Sequence, residues 1–217
     1  MWERRERTET VSWIAMKIST RSLTGWLTRF LAALLTVGLI GFSFAAKDLA
    51  ARSELPATFR LLSTELTAGG RLPEAQVLDG FGYHGGNRSP HLRWENAPAG
   101  AKSFVVTLYD PDAPTGSGWW HWVVIDLPAD TRELTAGASG QVGALPRGAR
   151  EMRTDFGTAR YGGAAPPPGP AHRYVFTVHA LDVSRLDVPD DASAAMVGFF
   201  VHQHALGSAT LTVNYGA

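Results

Sequence analysis

The feature that most constrains this chain is a series of short β-branched runs separated by clusters of Gly, Pro, Asn and Asp. Residues 103–109 (SFVVTLY) and 122–127 (WVVIDL) are rich in Val, 174–181 (YVFTVHAL) alternates apolar with polar, and 209–215 (ATLTVNY) closes the chain. Weaker strand signals lie at 58–64 and 76–80. Strands of this length, with turn residues between them, predict an all-β domain. Only 193–207 (SAAMVGFFVHQHALG) reads as a helix: Asp190 and Asp191 precede it, and Gly207 follows it as a stop signal. Met196, Val197, Phe200, Val201 and Leu206 roughly keep helical spacing. The expected fold is therefore mainly β, a sandwich of antiparallel sheets with one or two small helices at its edge.

Composition narrows the function classes. The chain has 217 residues, enough for one domain with a core that folds without staples, and it has no cysteine. A disulfide framework, a cysteine zinc site and a thiol nucleophile are all excluded. Twenty basic and twenty acidic residues cancel, so no strong field points to nucleic acid.

The N-terminus reads as an address. Residues 30–46 (FLAALLTVGLIGFSFAA) carry no charge, Lys17, Arg21 and Arg29 lie upstream, and Ser43-Phe44-Ala45 offers small residues at alternate positions. That is the pattern of a secretory signal cut after Ala45. A start at Met16 would give an ordinary signal peptide. The alternative is an uncleaved N-terminal membrane anchor. Six of the basic and three of the acidic residues lie in 1–45, so the mature chain carries 14 and 17, a net of −3. The expected organisation is a signal peptide (1–45), a short leader (46–58) and one domain (59–217), exported to the periplasm or secreted.

Chemistry-bearing residues gather in two places. In 109–122 (YDPDAPTGSGWWHW) a strand runs into Asp110-Pro111-Asp112-Ala113-Pro114, where two prolines stiffen the backbone and aim both carboxylates. His121 follows at the start of the next strand, so a hairpin end collects two Asp, one His and Trp119, Trp120 and Trp122. In 161–174 (YGGAAPPPGPAHRY), Gly162 and Gly163 can expose backbone N–H groups to an oxyanion. His172 and Tyr174 then share one face of a strand. Three readings stay open. One is anion binding, with each Asp taking an imidazole proton and the His and Gly N–H groups receiving a phosphate. A second is metal binding by His and Asp, although the spacing fits no tight ligand motif. The third is a purely structural role. No G-x-S-x-G elbow is present.

These residues resemble the phosphatidylethanolamine-binding protein family, also called Raf kinase inhibitor proteins. The resemblance rests on Asp110-Pro111-Asp112-Ala113-Pro114, His121-Trp122, and Gly169 with His172-Arg173-Tyr174, preceded by Asn87-Arg88-Ser89-Pro90, Leu92 and Trp94. The uninterrupted TGSGWWHW looks like the bacterial Raf-kinase-inhibitor-like branch, and the similarity runs from about Phe59 to Tyr215. It implies two antiparallel sheets with small flanking helices and a pocket at the sheet ends for a phosphate-bearing or other anionic ligand. Carried over by position, Asp110, Asp112 and His121 fall on the first ligand-binding motif, and Gly163, Pro166, His172 and Tyr174 on the second. The chain departs from the branch at Ala165, commonly Cys, and at Thr154, often Asn. It also stops in a strand, without the C-terminal helix that borders the pocket of animal members, which implies a more open pocket.

The resulting expectation is a binding protein rather than an enzyme. It would hold a phosphoethanolamine-like molecule or phospholipid headgroup without a cofactor, act as a monomer or weak homodimer, and modulate a partner protein. The alternatives are an inhibitor of a hydrolase or kinase acting through the pocket loops, and an Asp/His hydrolase using metal or activated water. Of the remaining residues, at least two of the three Trp are expected in the core or pocket wall. His84 and His91 are expected to be solvated, and His202 and His204 to point to different helix faces. Arg150, Arg153, Arg160 and Arg173 are expected to form a solvated basic face.

Overall fold

Continuous apolar runs such as SFVVTLY arise when a strand is covered on both faces, and the structure places them there. It is a computed structural model that describes residues 57–217. The expected signal segment (1–45) and most of the leader lie outside the described residues. Five strands form the main sheet, in the order β10 (Ala205–Tyr215), β9 (His172–Leu181), β5 (Ser103–Asp110), β6 (Trp119–Pro128) and β8 (Arg150–Glu151). All neighbours pair antiparallel. A second sheet joins β1 (Arg60–Leu62), β4 (Leu92–Glu95) and β7 (Glu133–Leu134). A small ribbon pairs β2 (Asp79–Gly80) with β3 (Tyr83–His84).

On one face of the main sheet, Phe104, Val106 and Leu108 of β5, Trp122 and Val124 of β6, and Tyr174, Phe176 and Val178 of β9 are buried against Leu61, Leu92, Trp94 and Leu134 of the second sheet. Trp94 and Phe104 meet with ring centroids 5.3 Å apart. The opposite face carries a second core, in which Val105, Val123, Ile125 and Leu181 pack under Val197 and Val201 of helix α1 (Ala194–His204). Each such side chain contributes about 1.5–3 kcal/mol by leaving water. The architecture is the expected β-sandwich, with the helix lying across the outer face of the main sheet rather than at its edge.

Two local expectations are corrected. The segment read as a strand at 76–80 begins as a 3-10 turn (Glu74–Gln76), because Pro73 stands at its N-cap and the Val77 N–H reaches back to the Glu74 carbonyl. The helix stops at His204, and β10 begins at Ala205. Gly207 is therefore inside a strand, where its pairing with Ala180 wins over its value as a helix terminator. At the other end Ser193 caps the helix, its hydroxyl accepting the Met196 N–H at 3.2 Å.

Candidate ligand-binding site

The β5–β6 hairpin delivers His121 through a bulge. Leu108 pairs with Trp122 and Tyr109 with Trp120, so His121 is the extra residue between them. A bulge re-aims a side chain that strict alternation would send outward. His121 is thereby buried on the same side as Trp122, its ring edge-on to Tyr174 with centroids 5.2 Å apart. Its Nδ1 lies 2.9 Å from the Gly162 carbonyl and 3.1 Å from that of Gly163. Both partners can only accept, so Nδ1 carries the hydrogen and Nε2 is the nitrogen left for a ligand. Burial pushes the His121 pKa below the ordinary imidazole value, against the opposing pull of the two carbonyls and Asp110.

The two aspartates have separate tasks. Asp110 is buried, and its Oδ1 accepts the Asp112 N–H at 2.8 Å, an Asx turn that starts the hairpin loop. Its Oδ2 lies 2.8 Å from Nδ1 of His172, the first residue of β9. That carboxylate keeps the His172 hydrogen on Nδ1 and again leaves Nε2 for a ligand. Asp112 was expected to take the other imidazole proton or meet a ligand cation, and the structure turns it away. Its two oxygens grip the Arg173 guanidinium at 2.7 and 2.9 Å, and one also accepts the Arg173 N–H at 2.9 Å. Side-chain and backbone hydrogen bonds from Arg173 hold the Asp112 pKa at about 2. Arg173 alternates with the inward His172 and Tyr174, so its partner is drawn to the outer face as well.

The glycine pair of the second motif is also corrected. Gly163 was expected to offer its N–H to an anion, but that N–H donates to Asn87 Oδ1 at 2.8 Å. The Gly162 N–H donates to the His121 carbonyl at 2.9 Å. The glycines are required for close approach. A Cβ on Gly163 would lie 2.3 Å from the Leu78 nitrogen, and one on Gly162 would lie 2.4 Å from the Phe156 ring. This segment is pinned further by the Leu78 N–H on the Ala164 carbonyl (3.0 Å) and by the Tyr161 hydroxyl on the Gln76 carbonyl (2.8 Å).

Together these elements enclose a pocket of about 170 Å³. Asp110, His121, Pro166, His172 and Tyr174 line it, whereas Asp112 and Gly163 do not. Pro166 forms wall, and its carbonyl accepts the Tyr83 hydroxyl at 2.6 Å. The Tyr174 hydroxyl is buried without a hydrogen-bond partner among the described residues. Burial first, and Asp110 second, raise its pKa, so it stays a neutral donor. An orphaned buried hydroxyl beside two imidazole nitrogens is a polar set with room for the hydrogen-bonding groups of a ligand. The walls are apolar: Phe156 lies 5.4 Å from Trp119, 5.2 Å from His121 and 6.0 Å from Phe81, centroid to centroid. Among the described residues no Lys or Arg lines the pocket.

Other residues singled out from sequence fall as follows. Trp119 is pocket wall and Trp122 core, while Trp120 faces the second core. His84 is exposed, but His91 is partly buried rather than solvated, its Nδ1 accepting the Thr64 N–H at 3.2 Å. His204 lies 2.9 Å from Asp182, and His202 points elsewhere on the helix. The expected basic face is divided, because Arg150 binds Asp126 and Asp190 while Arg173 binds Asp112. Sequence reasoning missed Phe81, Phe156 and Asn87 as parts of the site. Asn87 has a positive φ of 44°, a conformation Asn tolerates, and its place in Asn87-Arg88-Ser89-Pro90 was the available signal. Among the described residues no group of three or more His, Asp or Glu side chains is placed to hold a metal ion.

Comparison with known proteins gives a consistent picture. A sequence model described as phosphatidylethanolamine-binding protein matches residues 62–216. The chain is 59% identical to YbhB of Escherichia coli K12 over 156 residues, which is 72% of this chain and 99% of YbhB. It is 45% identical to YbcL of the same organism over 161 residues, covering 73% of this chain and 88% of YbcL. The crystal structure of Escherichia coli YbcL, described as a member of the mammalian PEBP family, superposes with a TM-score of 0.72, covering 74% of this chain and 99% of that one. A PEBP homologue from Chlamydia trachomatis, 26% identical, superposes with a TM-score of 0.62 over 74% of this chain and 98% of its own.

Proposed function

This chain belongs to the phosphatidylethanolamine-binding protein family, in its bacterial YbhB/YbcL branch, and from that premise we propose that it binds a small phosphate-bearing ligand in the Asp110–His172 pocket. It acts by binding rather than by turnover. The observation that carries this reading is the convergence in one pocket of the Tyr174 hydroxyl, without a hydrogen-bond partner among the described residues, and of His121 and His172, whose Nδ1 atoms are taken up by the Gly162 carbonyl and Asp110. Tyr174 supplies a hydrogen bond at any ordinary pH. The His121 imidazole donates once its Nε2 gains a proton, and the Asp110 carboxylate orients the His172 ring towards the ligand. A headgroup that carries its own cation, such as phosphoethanolamine, places its ammonium near Asp110. Phe81, Trp119 and Phe156 pack against the carbon part of the ligand.

The proposal includes export directed by 1–45 and modulation of a partner protein through the loops around the pocket. The test is isothermal titration of residues 46–217 with inorganic phosphate and with phosphoethanolamine, repeated on His121→Ala and His172→Ala. Loss of about 1.5–3 kcal/mol in either variant, the worth of a hydrogen bond to a charged group, supports the site. Equal affinity in all three proteins removes it. N-terminal sequencing of the protein from its host tests export, since a chain beginning at Ala46 is the expected product.

A further inference from the structure

We infer a second binding site, for an uncharged molecule with a flat apolar body and one hydroxyl group, between helix α1 and the outer face of the main sheet. A cavity of about 360 Å³ lies there, larger than the first pocket and within the range of small-molecule sites. Its floor comes from four adjacent strands: Thr107 of β5, Trp120 of β6, His179 of β9 and Ser208 of β10. His179 and Ser208 are direct cross-strand partners, so both side chains stand on this face. Its roof is the middle of α1, with Val197, Gly198 and Val201.

Both ends of the helix are tied, which fixes its place over the sheet. Ser193 caps the first turn, the Asp182 N–H donates to the His204 carbonyl at 3.0 Å, and the Asp182 carboxylate holds the His204 ring at 2.9 Å. Gly198 sits midway between these anchors, and a Cβ there would meet nothing within 4 Å. A helix-interior glycine facing space is a poor choice for packing and leaves room for a guest.

Chemistry sets the class of guest. Among the described residues no Lys, Arg, Asp or Glu lines this cavity, and its titratable groups are His179 and His202, so it offers an ion no permanent counter-charge. The His179 ring makes no hydrogen bond among the described residues, and burial pushes its pKa down to about 4. It is a neutral imidazole on a lining that also carries Thr107, His202 and Ser208, able to accept one hydrogen bond from a ligand hydroxyl. Trp120 supplies an aromatic ring, itself packed against Tyr109 with centroids 4.4 Å apart. This site shares no lining residue with the Asp110–His172 pocket.

The probe is 4-fluorophenol, followed by fluorine NMR at pH 7 with the mature protein. Saturable binding is expected, unaffected by phosphate. Gly198→Leu fills the cavity and should weaken binding by tenfold or more, and His179→Phe should weaken it by about tenfold through loss of the acceptor. Gly198→Ala serves if the leucine variant does not fold, because its methyl enters the same space and weakens binding by a smaller factor. Absence of saturable binding, unchanged affinity in the Gly198 variants, or displacement of the probe by phosphate would each overturn the inference.

Discussion

Anion binding by this pocket should consume protons. In the free protein the buried His121 imidazole has its hydrogen on Nδ1, facing the Gly162 and Gly163 carbonyls at 2.9 and 3.1 Å. Nε2 therefore presents a lone pair, which repels an anion oxygen. Shifting the tautomer would aim an Nδ1 lone pair at those same acceptors. A buried mismatch of that kind costs about 1–3 kcal/mol. The remaining route is uptake of a proton at Nε2. The complex then holds more protons than the free protein, so affinity rises as pH falls. The proton taken up at His121 corresponds to a tenfold change in Kd per pH unit, about 1.36 kcal/mol. The slope should flatten only where the free imidazole is itself protonated, which for His121 lies below the ordinary value of about 6.5 because the ring is buried. Sulfate is the right probe, since it does not titrate in this range. Calorimetry in two buffers of different ionisation enthalpy counts the protons directly, and His121→Phe should lower the count by its share. A sulfate affinity that stays flat within about twofold between pH 6 and pH 8.5, or that strengthens with pH, would refute this reasoning.

Three further outcomes follow from the same geometry. Gly163→Ala should destabilise the fold by about 3–5 kcal/mol, because its Cβ would lie 2.3–2.5 Å from backbone atoms of Gln76, Val77 and Leu78 and disturb hydrogen bonds at Asn87 and Ala164; urea unfolding measures it. Stability should fall as pH drops from about 6.5 towards 4, because unfolded His179 takes a proton at its ordinary value while the folded ring resists until about 4. The loss is up to about 3 kcal/mol, His121 acts in the same direction, and His179→Phe should flatten the profile. Asp112→Ala should lower the melting temperature only slightly, since Arg173 is exposed and solvent screens the pair; a loss of anion affinity as large as that of His172→Ala would contradict its place outside the pocket.

The β-branched runs and the turn clusters between them were enough to determine an antiparallel β domain, because side-chain period and backbone freedom are local properties. The Asp-Pro-Asp-Ala-Pro and His-Arg-Tyr motifs were likewise enough to point to the site, and Asp110, His121, Pro166, His172 and Tyr174 do line it. What each residue does there was decided by tertiary contacts. Asp112 and Asp110 are two residues apart and chemically alike, yet one meets Arg173 outside and the other His172 inside, according to what β9 sets beside each. Gly163 looks like an anion donor in sequence, but Asn87, 76 residues away, takes its N–H. His121 reaches the pocket through a bulge that only pairing with β5 creates. The walls Phe81 and Phe156 and the cavity under α1 carried no local signal, because a space between elements depends on distances between segments far apart in the chain.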